Sequence, residues 1–291
     1  MGKRLFIIGN GFDLLHRLPT CYQDYHQYLL QNGESWMANM LEFYFGNETK
    51  AKSNLLWSDL ERALGIYKVE DIYSFLCEGH SLDLDHIMQS TGEVEAEVEY
   101  HFVKICETFQ ETFKSWCQSI DLSVIKKNDR FSFLADDVFL TFNYSDTLER
   151  IYGLNDNQVL HIHGRASTGD NLIIGHNNPA TMPKNIQEDF YDHEANYKEI
   201  VVTINKLEKK TKKIISANRS FFDGLNPIDD VTVIGHSMAD VDLPYFEEVK
   251  RCVETNTKWH FSYYDENEKS HIKDVAAQLV IASNKYDMFK F

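Results

Sequence analysis

Four short apolar runs, each stopped by a turn-forming residue, set the rhythm of the chain. Leu5-Phe6-Ile7-Ile8 runs into Gly9, Val138-Phe139-Leu140-Thr141 towards Asn143, Val159-Leu160-His161-Ile162 into His163-Gly164, and Val231-Thr232-Val233-Ile234 into Gly235. Runs without polar alternation suit strands covered on both faces, as in a parallel sheet between helices. Leu172-Ile173-Ile174 and Trp259-His260-Phe261-Ser262-Tyr263 are further strand candidates.

Between the first two runs the pattern changes to helical. No proline occurs from Pro19 to Pro179, and Val94, Val98, Phe102, Ile105, Phe109, Phe113, Trp116 and Ile120 recur every three or four residues. That spacing draws one apolar stripe down a long helix, as core packing requires. Further helices are predicted over 196–219, 244–249 and 273–279. The order of elements predicts an α/β fold, a Rossmann-like, doubly wound, mostly parallel sheet with a helical insertion, 25–135, after the first βα unit. Without a Pro/Gly-rich linker, residues 1–291 are expected to form a single domain, with a ligand cleft between sheet and insertion.

Charge narrows the partners. The 29 basic and 45 acidic residues give 29 − 45 = −16, a field that disfavours nucleic acid and anionic membrane. The basic run from Lys206 to Lys213 reads as a solvated helix face. Five scattered cysteines, Cys21, Cys77, Cys106, Cys117 and Cys252, include no C-x-x-C pair, which argues for a reducing, cytoplasmic setting and against a disulfide framework or zinc ribbon. The longest apolar runs fall short of a membrane span, and no export signal is recognisable.

Candidate chemistry gathers where the runs end. Gly9-Asn10-Gly11-Phe12-Asp13 is either a phosphate-binding turn or a purely structural one, since Leu14 stands where the dinucleotide fingerprint has its third glycine. Asn143, after Thr141, offers a donor and an acceptor to a ribose hydroxyl or a water, or else caps a helix; Asp146 follows close by. His161 and His163 would share one strand face, a metal spacing that His176 can extend, although no carboxylate or cysteine completes the set. Alternatively His163 is a general base, or both imidazoles are buried and merely hydrogen-bonded. Gly235-His236-Ser237 repeats the first motif, either as a second phosphate or ribose contact or as a helix start with two solvent-facing acids, Asp240 and Asp242.

In order along the chain, Gly9-Asn10-Gly11-Phe12-Asp13 continuing through Leu18-Pro19-Thr20-x-Tyr22-x-Asp24, Thr141-x-Asn143-Tyr144 and His161-x-His163-Gly164 resemble the AbiH family of bacteriophage abortive-infection proteins, itself similar to sirtuin-like NAD-consuming domains. The resemblance implies a sirtuin-like sheet that takes NAD as substrate, with Asn143 beside the nicotinamide ribose and His163 activating ribose or water. It further implies Gly9, Asn10, Gly11, Phe12 and Asp13 at the pyrophosphate, Thr141 and Asp146 lining the pocket, and Gly235, His236 and Ser237 towards the adenosine. In sirtuins an acid stands two residues after the asparagine, where this chain has Ser145, with Asp146 next. Sirtuin deacylases carry a zinc module on paired C-x-x-C motifs; their absence disfavours deacylation, and no metal is expected. The implied activity is NAD hydrolysis at the nicotinamide N-glycosidic bond during phage infection. A non-catalytic nucleotide sensor and a metal-dependent nuclease on His161, His163 and His176 are the competing readings. A homo-oligomer and a phage-derived or partner-protein trigger are implied by the resemblance alone.

Overall fold

The computed structural model describes residues 2–46, 55–78, 102–184 and 193–291. Its sheet has six strands: β1 (Lys3–Ile8), β2 (Val138–Thr141), β3 (Val159–His161), β4 (Ile228–Ile234), β5 (Lys258–Tyr263) and β6 (Tyr286–Lys290). They lie in the order β3-β2-β1-β4-β5-β6 and every pairing is parallel. Winding runs outward from β1 to β3, then returns to the other side of β1 at β4. The order therefore reverses between β1 and β4, the topological switch of a Rossmann-like sheet.

Alternation along each strand explains why the apolar runs are unbroken. Leu5 and Ile7 of β1 join Leu140, Val231, Val233, Trp259 and Phe261 on one face, beneath the helices Leu243–Cys252 and Glu268–Gln278. Phe6 and Ile8 join Phe139, Val159 and Ile234 on the other, against Phe12, Leu148, Phe131 and Phe133. Both faces are buried, so each residue of the run meets a core. On the second face Phe6 stacks on Phe139, and Phe133 meets both rings edge-on.

The chain divides into two compact units. One holds the sheet: 1–21, 117–173 and 210–291. The other, 22–116 and 174–209, is built from helices among its described residues. Thus the helical unit takes up most of the segment expected as an insertion and adds a second segment, 174–209, while 117–135 belong with the sheet. Tyr25 anchors the helical core, packing against Trp57, Phe109, Phe113 and Trp116 and hydrogen-bonding Thr112 through its hydroxyl. The apolar stripe runs through the helix Lys104–Ser119: Ile105, Phe109, Phe113 and Trp116 are buried on it and Phe102 just before it, while Ile120 lies past its end and is half-buried. Val94 and Val98 lie outside the described residues.

Three local expectations are corrected. Leu172-Ile173-Ile174 is not a strand: it runs as a loop, tied by the Ile173 N–H to the His163 carbonyl at 2.8 Å. The helix expected over 196–219 is broken into His193–Lys206, Thr211–Ala217 and Arg219–Asp223. The basic run spans the first break and is no solvated helix face. Its Lys209 is 3 % exposed, with Nζ 2.6 Å from Glu61 Oε1. Residues Leu207 and Lys209 turn inward because they bond the backbone of His176, and a side chain at Gly175 would strike the Leu207 carbonyl. β6, with its half-exposed sequence Tyr-Asp-Met-Phe-Lys, gave no apolar run to find. Among the described residues no helix is long and apolar enough to cross a membrane.

Gly235 has φ +61, and a Cβ there would lie 2.5 Å from the Phe12 nitrogen; Gly153 has φ +73 with nothing within 4 Å. Gly153→Ala should therefore cost only the left-handed backbone term, about 1–2 kcal/mol. Gly235→Ala should cost more than that, because backbone must move. Urea denaturation of both variants checks the order, and equal midpoints would contradict the close approach.

Candidate functional site

Strand register sets the site. Ile8 pairs with Thr141 on one side and Ile234 on the other, and Thr141 pairs with His161. All four motifs thus leave the sheet from a single row at its carboxyl edge, where sheets of this kind bind ligands.

At the switch between β1 and β4 the two glycine loops touch. The Gly9 N–H donates to the Ile234 carbonyl at 2.9 Å and the Gly11 N–H to the Gly235 carbonyl at 2.7 Å. A Cβ on Gly9 would meet His236, and one on Gly11 would meet Gly235. Close backbone approach is reason enough for these glycines, and their amides are already engaged within the protein. Asn10 is exposed and donates through Nδ2 to the Thr20 carbonyl at 2.7 Å. Phe12, fully buried, belongs to the core, where its ring meets His16, Phe131 and Tyr152. Ser237 is exposed, and its carbonyl accepts from His271 Nε2.

Asp13, one residue beyond Phe12, is 1 % exposed. Ser145 Oγ donates to its Oδ2, and Ser145 in turn bonds Thr147 Oγ1. Burial pushes the Asp13 carboxyl above the usual carboxylate range, opposed by the Ser145, Thr147 and Asn143 side chains. Asn143 is also buried; its N–H donates to Thr141 Oγ1 at 3.1 Å, which fixes the backbone as it leaves β2. Two acceptors of this group, Asp13 Oδ1 and Asn143 Oδ1, are buried without a hydrogen-bond partner. Leaving a buried polar atom unpaired costs about 1–3 kcal/mol, so such atoms mark a place where a ligand or water completes the bonding.

Asp146 and His161 have structural partners. Asp146 accepts from Arg165 Nε at 2.6 Å and Ser167 Oγ at 2.8 Å, tying the loop after β2 to the loop after β3. His161 places Nδ1 3.0 Å from the Asn143 carbonyl and Nε2 2.8 Å from Glu149 Oε1, on the π-helical turn Thr147–Ile151. The carbonyl can only accept, so Nδ1 carries a hydrogen and the ring braces the Asn143 backbone.

His163 faces elsewhere. The strand ends at His161 and the next two residues turn, so the expected alternation is lost. Its ring packs on Phe142 and Tyr245 of the first sheet face, with Nε2 3.7 Å from Asp242 Oδ1. His236 Nε2 lies 3.7 Å from the other oxygen of the same carboxylate. His161 and His163 therefore do not point together at a metal. His176 belongs to the helical unit, where its Nε2 bonds the Ile204 carbonyl. Among the described residues no three His, Cys, Asp or Glu side chains are grouped to hold a metal ion. Of the two acids expected to face solvent, Asp240 does, whereas Asp242 is 6 % exposed. It stands at the N-cap of the helix Leu243–Cys252 without bonding its amides. No sequence signal separated it from Asp240; only the two histidines do.

A six-stranded parallel sheet in this order, flanked by helices, defines a Rossmann-like α/β protein. The family model for bacteriophage abortive infection AbiH matches residues 5–263, and the chain belongs to that family. No curated protein matches it.

The Asp13 environment carries a pH signature. With its folded pKa raised, the folded chain binds this proton more tightly than the unfolded one, so stability falls as pH rises from 3.8 through the raised value. Asp13→Asn removes that loss and keeps an oxygen for Ser145. It should melt at a higher temperature than the parent at neutral pH, with the two converging in acid; calorimetry across pH would show it, and a lower melting temperature at neutral pH would contradict it.

Proposed function

We propose that this AbiH protein is an abortive-infection effector that hydrolyses NAD at the nicotinamide N-glycosidic bond. The observation that carries the reading is the pair of unpaired, buried acceptors, Asp13 Oδ1 and Asn143 Oδ1, at the carboxyl edge of the sheet. A ribose diol supplies two O–H donors of the kind these atoms lack. Holding the ribose there would spend binding energy on orientation, and a nearby carboxylate favours positive charge developing on the sugar. His163 accepts the proton of the attacking water, at a residue type whose titration lies near working pH.

The glycine loops support this reading through shape. Since the amides of Gly9 and Gly11 are engaged internally, polar contact with the pyrophosphate falls to side chains at the loop surface. Asn10 keeps a second amide hydrogen and Ser237 is exposed. Thr141 and Asp146 act indirectly, by holding the Asn143 backbone and the loop that follows it. The surface charge of −16 is no obstacle to a small dinucleotide bound by local groups.

His163 is 2 % exposed and Asn143 7 %. Such burial accords with an effector held closed until a phage-derived or partner protein releases it, and with assembly into a homo-oligomer as the activating step. It also favours the second reading, a nucleotide sensor that turns nothing over. Incubation with NAD separates the two. An activated preparation should release nicotinamide, and Asn143→Ala and His163→Ala should each lower the rate by about 10²-fold or more. Binding of NAD without nicotinamide release would leave the sensor reading; release undiminished in both variants would remove the assigned roles.

A further inference from the structure

The motif ending in Gly164 and the motif beginning at Gly235 each contribute one imidazole to the same buried acid. Asp242 Oδ1 lies 3.7 Å from His163 Nε2 and Asp242 Oδ2 lies 3.7 Å from His236 Nε2. The side chains are 9 %, 3 % and 4 % exposed respectively. At this separation the contact is an ion-pair distance, too long for a direct hydrogen bond. Phe142 fixes both rings, meeting His163 and His236 edge to face with centroids 5.1 and 4.2 Å away.

The two imidazoles are not equivalent. The Met238 N–H donates to His236 Nδ1 at 2.8 Å. A backbone amide can only donate, so Nδ1 is an acceptor and the ring's hydrogen sits on Nε2, towards Asp242. Protonating Nδ1 would break that bond and set two donors against each other. Beside this bond the backbone is strained: Met238, with φ +52, occupies the left-handed region, which a non-glycine residue rarely adopts. His236 is thus held neutral, and the charge of Asp242 is left to His163.

We propose that Asp242 is the positioning carboxylate of His163, and that His236, locked as a neutral donor by Met238, steadies the far oxygen of that carboxylate so that charge develops on His163 alone. The mechanistic consequence rests on His163 being the proton acceptor of the proposed hydrolysis; the electrostatic pairing does not. With Nε2 turned to Asp242, a proton gained at Nδ1 yields an imidazolium whose charge the carboxylate balances, and Asp242 stays ionised throughout. Among the described residues, the phenols of Tyr144, on the loop after β2, and Tyr245, on the helix Leu243–Cys252, also face His163. As phenols they remain neutral across the histidine range.

The test is a histidine titration of the full chain by NMR, with Asp242→Asn and His236→Gln as variants and no nucleotide present. In the parent, His163 should titrate above the ordinary histidine value of about 6.5 while His236 stays neutral through that range. Asp242→Asn should lower the His163 midpoint by about one pH unit or more, and His236→Gln should leave it unchanged or higher. A parent midpoint below the ordinary value, a midpoint that Asp242→Asn does not move, or a charged His236 would each overturn the pairing, and the first needs no variant to fold. With NAD, Asp242→Asn should lower kcat by about tenfold or more, with KM little changed. A normal titration shift without nicotinamide release in any preparation would fault the NAD reading and leave the pairing intact.

Discussion

Everything at the carboxyl edge of the sheet depends on one contact, the meeting of two glycine loops across the switch between β1 and β4. The Gly11 N–H reaches the Gly235 carbonyl at 2.7 Å, and a methyl group on Gly9, Gly11 or Gly235 would overlap the opposite loop. Because the loops can close to that distance, β1 and β4 stay paired through Ile8 and Ile234 to their last residues. The same row of the sheet, Ile8 beside Thr141 and Ile234, starts the segments that carry Asp13, Ser145 and His236. The glycines serve the site as hinges of packing, whatever they contribute to a bound phosphate.

From that contact the two polar groups take different characters. Around Asp13 and Asn143, the Ser145 hydroxyl donates to Asp13 Oδ2 and Thr141 Oγ1 accepts from the Asn143 N–H, while two side-chain acceptors are left unfilled. Around Asp242 stand two imidazoles, both of which pack against the ring of Phe142. The first group suits recognition of hydroxyls and the second suits holding a proton. The segment 141–145 joins them, and His161 braces its middle by bonding the Asn143 carbonyl. Membership of the AbiH family gives the setting, defence against bacteriophage; the division of labour between the two groups comes from the side chains themselves.

Much of this was legible in the sequence because it is local. The strands β1 to β5 announced themselves as apolar runs, since burial on both faces removes the need for polar alternation. The stripe on the helix Lys104–Ser119 was legible for the same reason, with a single face to bury. What was illegible is tertiary. Lys209 sits in a run of lysines that composition alone assigns to solvent, and its buried ammonium meets Glu61, distant in sequence. Asp242 resembles any acid at a helix start until His163 arrives from the segment after β3, beside His236 from its own loop. His161 and His163 shared a face only so long as the strand continued, and it stops at the first of them. The short edge strand β6, half-exposed, lacks the hydrophobic signal altogether.

The pairing of β1 with β4 also has a consequence in time. Residues 3–8 occupy the middle of the sheet, yet one of their two neighbours, residues 228–234, is made more than two hundred residues later. During synthesis that side of the central strand stays open, and non-local parallel pairing of this kind is slow to form. A nascent chain that stops short of Gly235 holds Asp13, Asn143 and His163 but lacks the second glycine loop and the acid. Truncated or still-growing copies therefore carry an incomplete polar centre, and the carboxyl edge of the sheet is completed only late in synthesis.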